Sequence, residues 1–306
     1  MRTSFGLCLL AWMLAGLVGC NKGTAPGPEK GNGAPPASKP TTTSGPAADL
    51  AAQHEQDHVS PAPSRRDYLV AHVFVCLHDS RQLAPSLSVG QDSPQDPSHN
   101  RYWGASTGVM TFFRHSSNWR AMPLGSSPND AILDQAAFVS TFQGRPMYVL
   151  AQAYDGSRST QCLKDFLSAA AGRLQADLEA GEGSDYRKIP AGGQADLVCF
   201  VGNNPLVSMP MPALPTAEAP QAHRYSVMLA SKSSASFQKP LQDNLHCTPL
   251  VMTTGNITPD ASTLEAILIA ADQGDSAADV REKAALAYQK HQRCSLQAAR
   301  RLFVGN

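Results

Sequence analysis

The chain has 306 residues, 42% of them hydrophobic and 16% charged, and its 25 basic side chains balance 25 acidic ones. That is the composition of a globular protein, and the low charge content suits a sheet-rich, well-buried core. A net charge of zero lacks the electrostatic signature of a nucleic-acid binder and gives no reason to expect an anionic surface as partner.

The N-terminus opens with Arg2 and a thirteen-residue run of apolar or small side chains, Leu7 to Gly19. A membrane-crossing helix needs about 20 apolar residues, so this run reads as the core of an export signal spanning residues 1–19. It closes on Leu17-Val18-Gly19-Cys20, which resembles the lipobox of bacterial lipoproteins. The resemblance implies cleavage before Cys20 and lipidation of that cysteine with three acyl chains, which hold a protein far more firmly than one chain does. Asn21 stands where an Asp marks inner-membrane retention in Gram-negative lipoproteins. The expected location is therefore the cell envelope, at the outer membrane, with the membrane as a partner through the anchor. Residues 20–66 form the tether. Within it, the 28 residues from Asn21 to Ala48 hold six Pro and five Gly and no Val, Leu, Ile, Met or aromatic residue. Such a segment cannot bury a core, and as a flexible chain it reaches on the order of 30 Å.

Residues 67–306 read as one α/β domain. Short apolar runs at Tyr68–Leu77, Met147–Tyr154, Ala195–Val201, Tyr225–Ala230 and Thr248–Thr253 predict five buried strands. Helical spacing predicts helices over Thr160–Glu179, Ser233–Asp243 and Val280–Phe303, and Thr258-Pro259-Asp260 reads as a helix start with Thr258 as N-cap. Strand and helix in alternation predict a doubly wound, mostly parallel sheet with flanking helices. His78–Leu133 is the least regular stretch. Its aromatic part carries Tyr102, Phe112, Phe113 and Trp119, which either pack an insertion onto the sheet or line a ligand groove. Besides Cys8 and Cys20 there are Cys76, Cys162, Cys199, Cys247 and Cys294. An odd number leaves at least one thiol unpaired, and no spacing of cysteines or histidines predicts a metal site.

Ligands of open α/β sheets gather outside the carboxyl ends of the strands. Those ends read His78-Asp79, Asp155-Gly156, Gly202-Asn203-Asn204-Pro205, Ser231-Lys232-Ser233 and Thr254-Gly255. The candidate cleft residues are thus His78, Asp79, Asp155, Asn204, Lys232 and Thr254, together with Asn203 and Ser231. The third and fourth strand ends, Gly202-Asn203-Asn204-Pro205 and Leu229-Ala230-Ser231-Lys232-Ser233, resemble those of the caspase-like cysteine peptidases, which include gingipains, clostripain and legumain, and with Tyr102-Trp103-Gly104-Ala105, Ala153-Tyr154-Asp155-Gly156 and Thr253-Thr254-Gly255 they are similar to runs that occur in this order in bacterial proteins. The resemblance covers Asp67 to Phe303. It implies a strand order of 2-1-3-4, with the third strand delivering an imidazole base and the fourth a thiol nucleophile. Here Asn203 stands at the imidazole position, Ser231 at the thiol position, and Pro205 replaces a glycine. An amide is no general base near neutral pH and a hydroxyl is a poor nucleophile without one, so peptidase chemistry of that kind is expected to be absent.

Ser231, His78 and Asp155 or Asp79 supply the residue types of a serine triad, but the implied order separates the first and fourth strands by about 10 Å. No G-x-S-x-G elbow surrounds a serine, and no G-x-G-x-x-G or Walker-type loop follows a strand, which counts against an α/β-hydrolase and a nucleotide cofactor. The expectation is a non-catalytic module, without cofactor or metal, that binds a peptide or protein partner or serves as a pseudoenzyme. The alternatives are a hydrolase using Ser231 or a thiol such as Cys247, and a structural protein of the envelope.

Overall fold

The computed structural model describes residues 66–79, 92–125, 127, 129–142, 144–180, 186–218 and 223–306. The expected export signal, Cys20 and the tether up to residue 65 lie outside the described residues. The strands are β1 Leu69–Cys76, β2 Trp119–Met122, β3 Ile132–Ser140, β4 Met147–Tyr154, β5 Asp177–Ala180, β6 Arg187–Pro190, β7 Leu197–Val201, β8 Arg224–Leu229, β9 Cys247–Thr253 and β10 Phe303–Val304. The α-helices are α1 Val109–His115, α2 Ser159–Ala170, α3 Ser233–Lys239, α4 Ala261–Asp272, α5 Ala277–Gln292 and α6 Leu296–Leu302.

Eight strands form one mixed sheet in the order β10-β9-β8-β7-β1-β4-β3-β2, and β5 pairs with β6 apart from it. The five strands predicted from apolar runs, β1, β4, β7, β8 and β9, are its parallel centre. In space they run second, first, third, fourth, fifth. The antiparallel additions β3, β2 and β10 flank that centre.

β1 shows why its sequence is apolar without interruption. Leu69, Ala71, Val73, Val75 and Leu77 enter one core cluster, shared with buried residues of α1, α4 and α5. Val70, Phe74 and Cys76 enter the other, shared with α2 and α3. A strand covered on both faces has no polar side to show, and helices on both faces make this a doubly wound α/β fold. His72 is the exception within the run and is wholly buried. Its Nδ1 accepts from the Gly192 amide at 3.0 Å, its Nε2 donates to Gln152 Oε1 at 2.9 Å, and its ring stacks on Phe74 at 4.1 Å. Both ring nitrogens are thus satisfied in the neutral form, and burial pulls the pKa down to about 4.

Several elements differ from expectation for local reasons. The helix predicted over Thr160–Glu179 stops at Ala170. Gly172 takes φ +84°, the Arg224 Nε donates to the Ala170 carbonyl, and Asp177–Ala180 becomes β5. The helix predicted over Val280–Phe303 is two helices. Arg293 turns left-handed at φ +53°, Ser295 caps α6 by accepting from Ala298 N, and Phe303–Val304 pairs with β9. The start predicted at Thr258 lies two residues on, where Asp260 accepts from Thr263 N at 2.9 Å as the N-cap of α4. Ser233–Asp243 divides into α3 and a π turn at Pro240–Asn244. In the irregular stretch, Phe113 and Trp119 are buried and stacked at 5.1 Å, so they pack an insertion. Phe112, half-buried, lines an open cavity of about 540 Å³ with Thr111 and His115. All five described cysteines are free thiols.

Candidate functional site

Two glycines let strand ends close together at the carboxyl edge. At Gly202, φ +155°, a Cβ would meet the Cys76 carbonyl oxygen at 2.8 Å, and at Gly156 one would meet the Leu77 carbonyl oxygen at 2.2 Å. Both contacts are with backbone of the β1 exit, so only a residue without Cβ fits.

His78, the first site residue after β1, is 2% exposed. The buried Asn100 grips its backbone, Oδ1 accepting from His78 N at 3.1 Å and Nδ2 donating to His78 O at 2.9 Å. The ring Nδ1 accepts from Asn203 Nδ2 at 3.1 Å, Asn203 Oδ1 accepts from Tyr102 Oη at 2.9 Å, and the Tyr102 ring meets the imidazole edge-on at 5.4 Å. An amide nitrogen can only donate, so the lone pair of the neutral ring sits on Nδ1 and its hydrogen on Nε2. Nε2 is buried and has no hydrogen-bond partner among the described residues. Burial and then the Arg101 charge hold the His78 pKa below the usual histidine value, against Asp92 and Asp79, which pull it up. The ring is therefore neutral at pH 7.

The other strand ends are tied down separately. Ser231 Oγ accepts from Ile257 N at 3.1 Å. Asn204 Nδ2 donates to the Ser231 carbonyl at 2.9 Å while its Oδ1 accepts from Leu206 N at 3.0 Å, which staples the end of β7 to the end of β8. Lys232 is left-handed, φ +55°, with its amide donating to the Gly255 carbonyl at 2.8 Å and its side chain exposed. Asp155 accepts from Ser157 N at 2.8 Å and from Gln95 Nε2 at 3.0 Å, capping a short turn. Thr254 Oγ1 donates to the Arg301 carbonyl at 2.8 Å, and Asp79 is buried.

Of the residues predicted from strand ends, the fold joins His78 to Asn203 and Asn204 to Ser231, while Asp155 caps its own turn and Thr254 ties the end of β9 to the end of α6. Asn100, which the strand-end reading missed, and Tyr102, read there only as an aromatic, complete the cluster. They bond across 22 and 101 residues of sequence, and no periodic pattern marks such a pair. A general base working through Nε2 would need its lone pair there, whereas the Asn203 donor holds the lone pair on Nδ1. At Cys162, Cys199 and Cys247 the thiolate is disfavoured: burial pushes the Cys162 and Cys199 thiols far up and Cys247 up to about 12. Set against known proteins, the chain matches no family model, no curated protein and no solved structure.

Proposed function

We propose that residues 67–306 form a caspase-like binding module that takes a peptide or protein segment at the carboxyl edge of its sheet without cleaving it, and that a lipid on Cys20 anchors it in the cell envelope. The observation that carries the reading is how the reactive groups are spent. The His78 lone pair goes to Asn203, Ser231 Oγ accepts from Ile257 N while its hydroxyl donates to the Ile257 carbonyl at 3.4 Å, and the thiols of Cys199 and Cys247 are sealed in the core. What the edge still offers is recognition chemistry, with the exposed Lys232 beside the stapled ends of β7 and β8. In the test, the full-length chain is incubated with a peptide library and with serine- and cysteine-directed activity probes. Expected are no turnover, no single labelled residue, and peptide binding that weakens in Lys232→Ala. Turnover that disappears in Ser231→Ala would overturn the reading. For the anchor, radiolabelled palmitate should enter the wild-type chain and not Cys20→Ala.

A further inference from the structure

We propose that His78, Asn203 and Tyr102 form a reversible hydrogen-bond switch, in which a proton taken up on His78 Nδ1 turns the Asn203 amide over and reverses the direction of the whole chain of bonds. The inference concerns the cleft assigned above and rests on that reading only for its effect on a ligand.

The placement of the Asn203 amide sets the direction of the chain in the neutral state. Tyr102 Oη donates to Asn203 Oδ1, and Asn203 Nδ2 donates to His78 Nδ1. The Nε2 position already carries its hydrogen, so a second proton has one place to go, Nδ1. Once there, an N–H faces the N–H of Asn203, donor against donor, and the bond is lost. Half a turn of the amide brings Oδ1 to His78 and Nδ2 to Tyr102 with almost no change of shape. The phenol can accept as well as donate, so the chain survives with every arrow reversed. His78 itself does not need to move, because Asn100 holds its amide and carbonyl. The charged groups facing the ring among the described residues are Asp79, next in the chain, and Asp92 and Arg101 from the segment between β1 and α1, which are paired with each other. From β7 and its exit come the neutral Asn203 and Asn204. Burial and Arg101 pull the His78 transition below the ordinary histidine value, and the two carboxylates oppose that pull. The consequence is an exchange of donor and acceptor at the lip of the cleft as the surroundings acidify.

The test is proton and nitrogen NMR of the full-length, 15N-labelled chain from pH 8 downward. Expected at pH 8 is the His78 tautomer with hydrogen on Nε2. On acidification the Asn203 side-chain amide signals should shift with the same midpoint as His78. Asn203→Asp, whose carboxylate accepts from Nδ1 without turning, should raise that midpoint by about one unit or more. Hydrogen on Nδ1 at pH 8, Asn203 signals that stay still while His78 titrates, or a His78 that remains neutral until the chain unfolds would each overturn the switch. These readouts need no ligand. A chain that passes them yet binds no peptide therefore loses the binding reading alone.

Discussion

His72 and His78 leave the same strand six residues apart, and in both an amide side chain holds one ring nitrogen. His72 is complete, since its second nitrogen takes the Gly192 amide, whereas His78 keeps a buried Nε2 with no partner among the described residues. Inside the sheet, the neighbours of a strand are set by the regular pairing of β1 with β4 and β7, and both bonds of an imidazole can be settled there. Past the end of the strand, partners come from loops, and a donor left over at the edge costs about 1–3 kcal/mol.

The contrast can be broken hardest at His72. His72→Leu leaves the Gly192 N–H and the Gln152 oxygen facing an apolar side chain in the core, which should lower the stability of the domain by about 3 kcal/mol. Urea denaturation checks this, and a loss below about 1 kcal/mol would mean that the buried bonds are replaced elsewhere. Acid should sharpen the same point. The folded pKa of His72, about 4, lies below its ordinary 6.5, so the unfolded chain takes up the proton first as pH falls. Stability from this residue is full above 6.5 and drains away toward pH 4, by about 3 kcal/mol in total. Paired urea titrations at pH 7 and pH 4 should show that loss in the wild type and lack it in His72→Leu. At the edge the effects shrink. Tyr102→Phe removes the donor to Asn203 and should cost about 1 kcal/mol by the same assay. Smallest is Ser231→Ala, which frees a half-buried Ile257 N–H that water can reach. It should cost about 0.5 kcal/mol and leave peptide turnover at background, and a larger change in turnover than in stability would reopen the hydrolase alternative.

The same division explains what the sequence disclosed. Continuous apolar runs revealed β1, β4, β7, β8 and β9, because a strand buried on both faces leaves no ambiguity of composition. β3 stayed hidden because Leu133 is exposed, Asp134 accepts from the Trp103 indole and Gln135 meets Gln152, so its first half reads as polar. β10 has two residues and exists through its pairing with β9. Helix ends were misplaced where one residue overrides a good helical run, as Gly172 and Arg293 do. At the candidate site, the strand-end rule found His78, Asn203, Asn204 and Ser231, yet gave no hint that Asn203 turns to His78 and Ser231 to Ile257. The first pairing is set by the loop that carries Asn100 and Tyr102 and the second by the segment between β9 and α4, and the place of each over the sheet is a tertiary fact.

Arg66 bonds to Asp196 and to the Gln194 carbonyl, each at 2.9 Å, and Asp196 also accepts from Val70 N. The incoming chain is thereby clamped where β1 and β7 begin, and β1 must run its length, about 25 Å, before it reaches His78. Any pull exerted from upstream of that clamp arrives on the far side of the slab. Loosening the clamp would fray the sheet at the edge remote from the polar cluster and leave His78 and its partners in place.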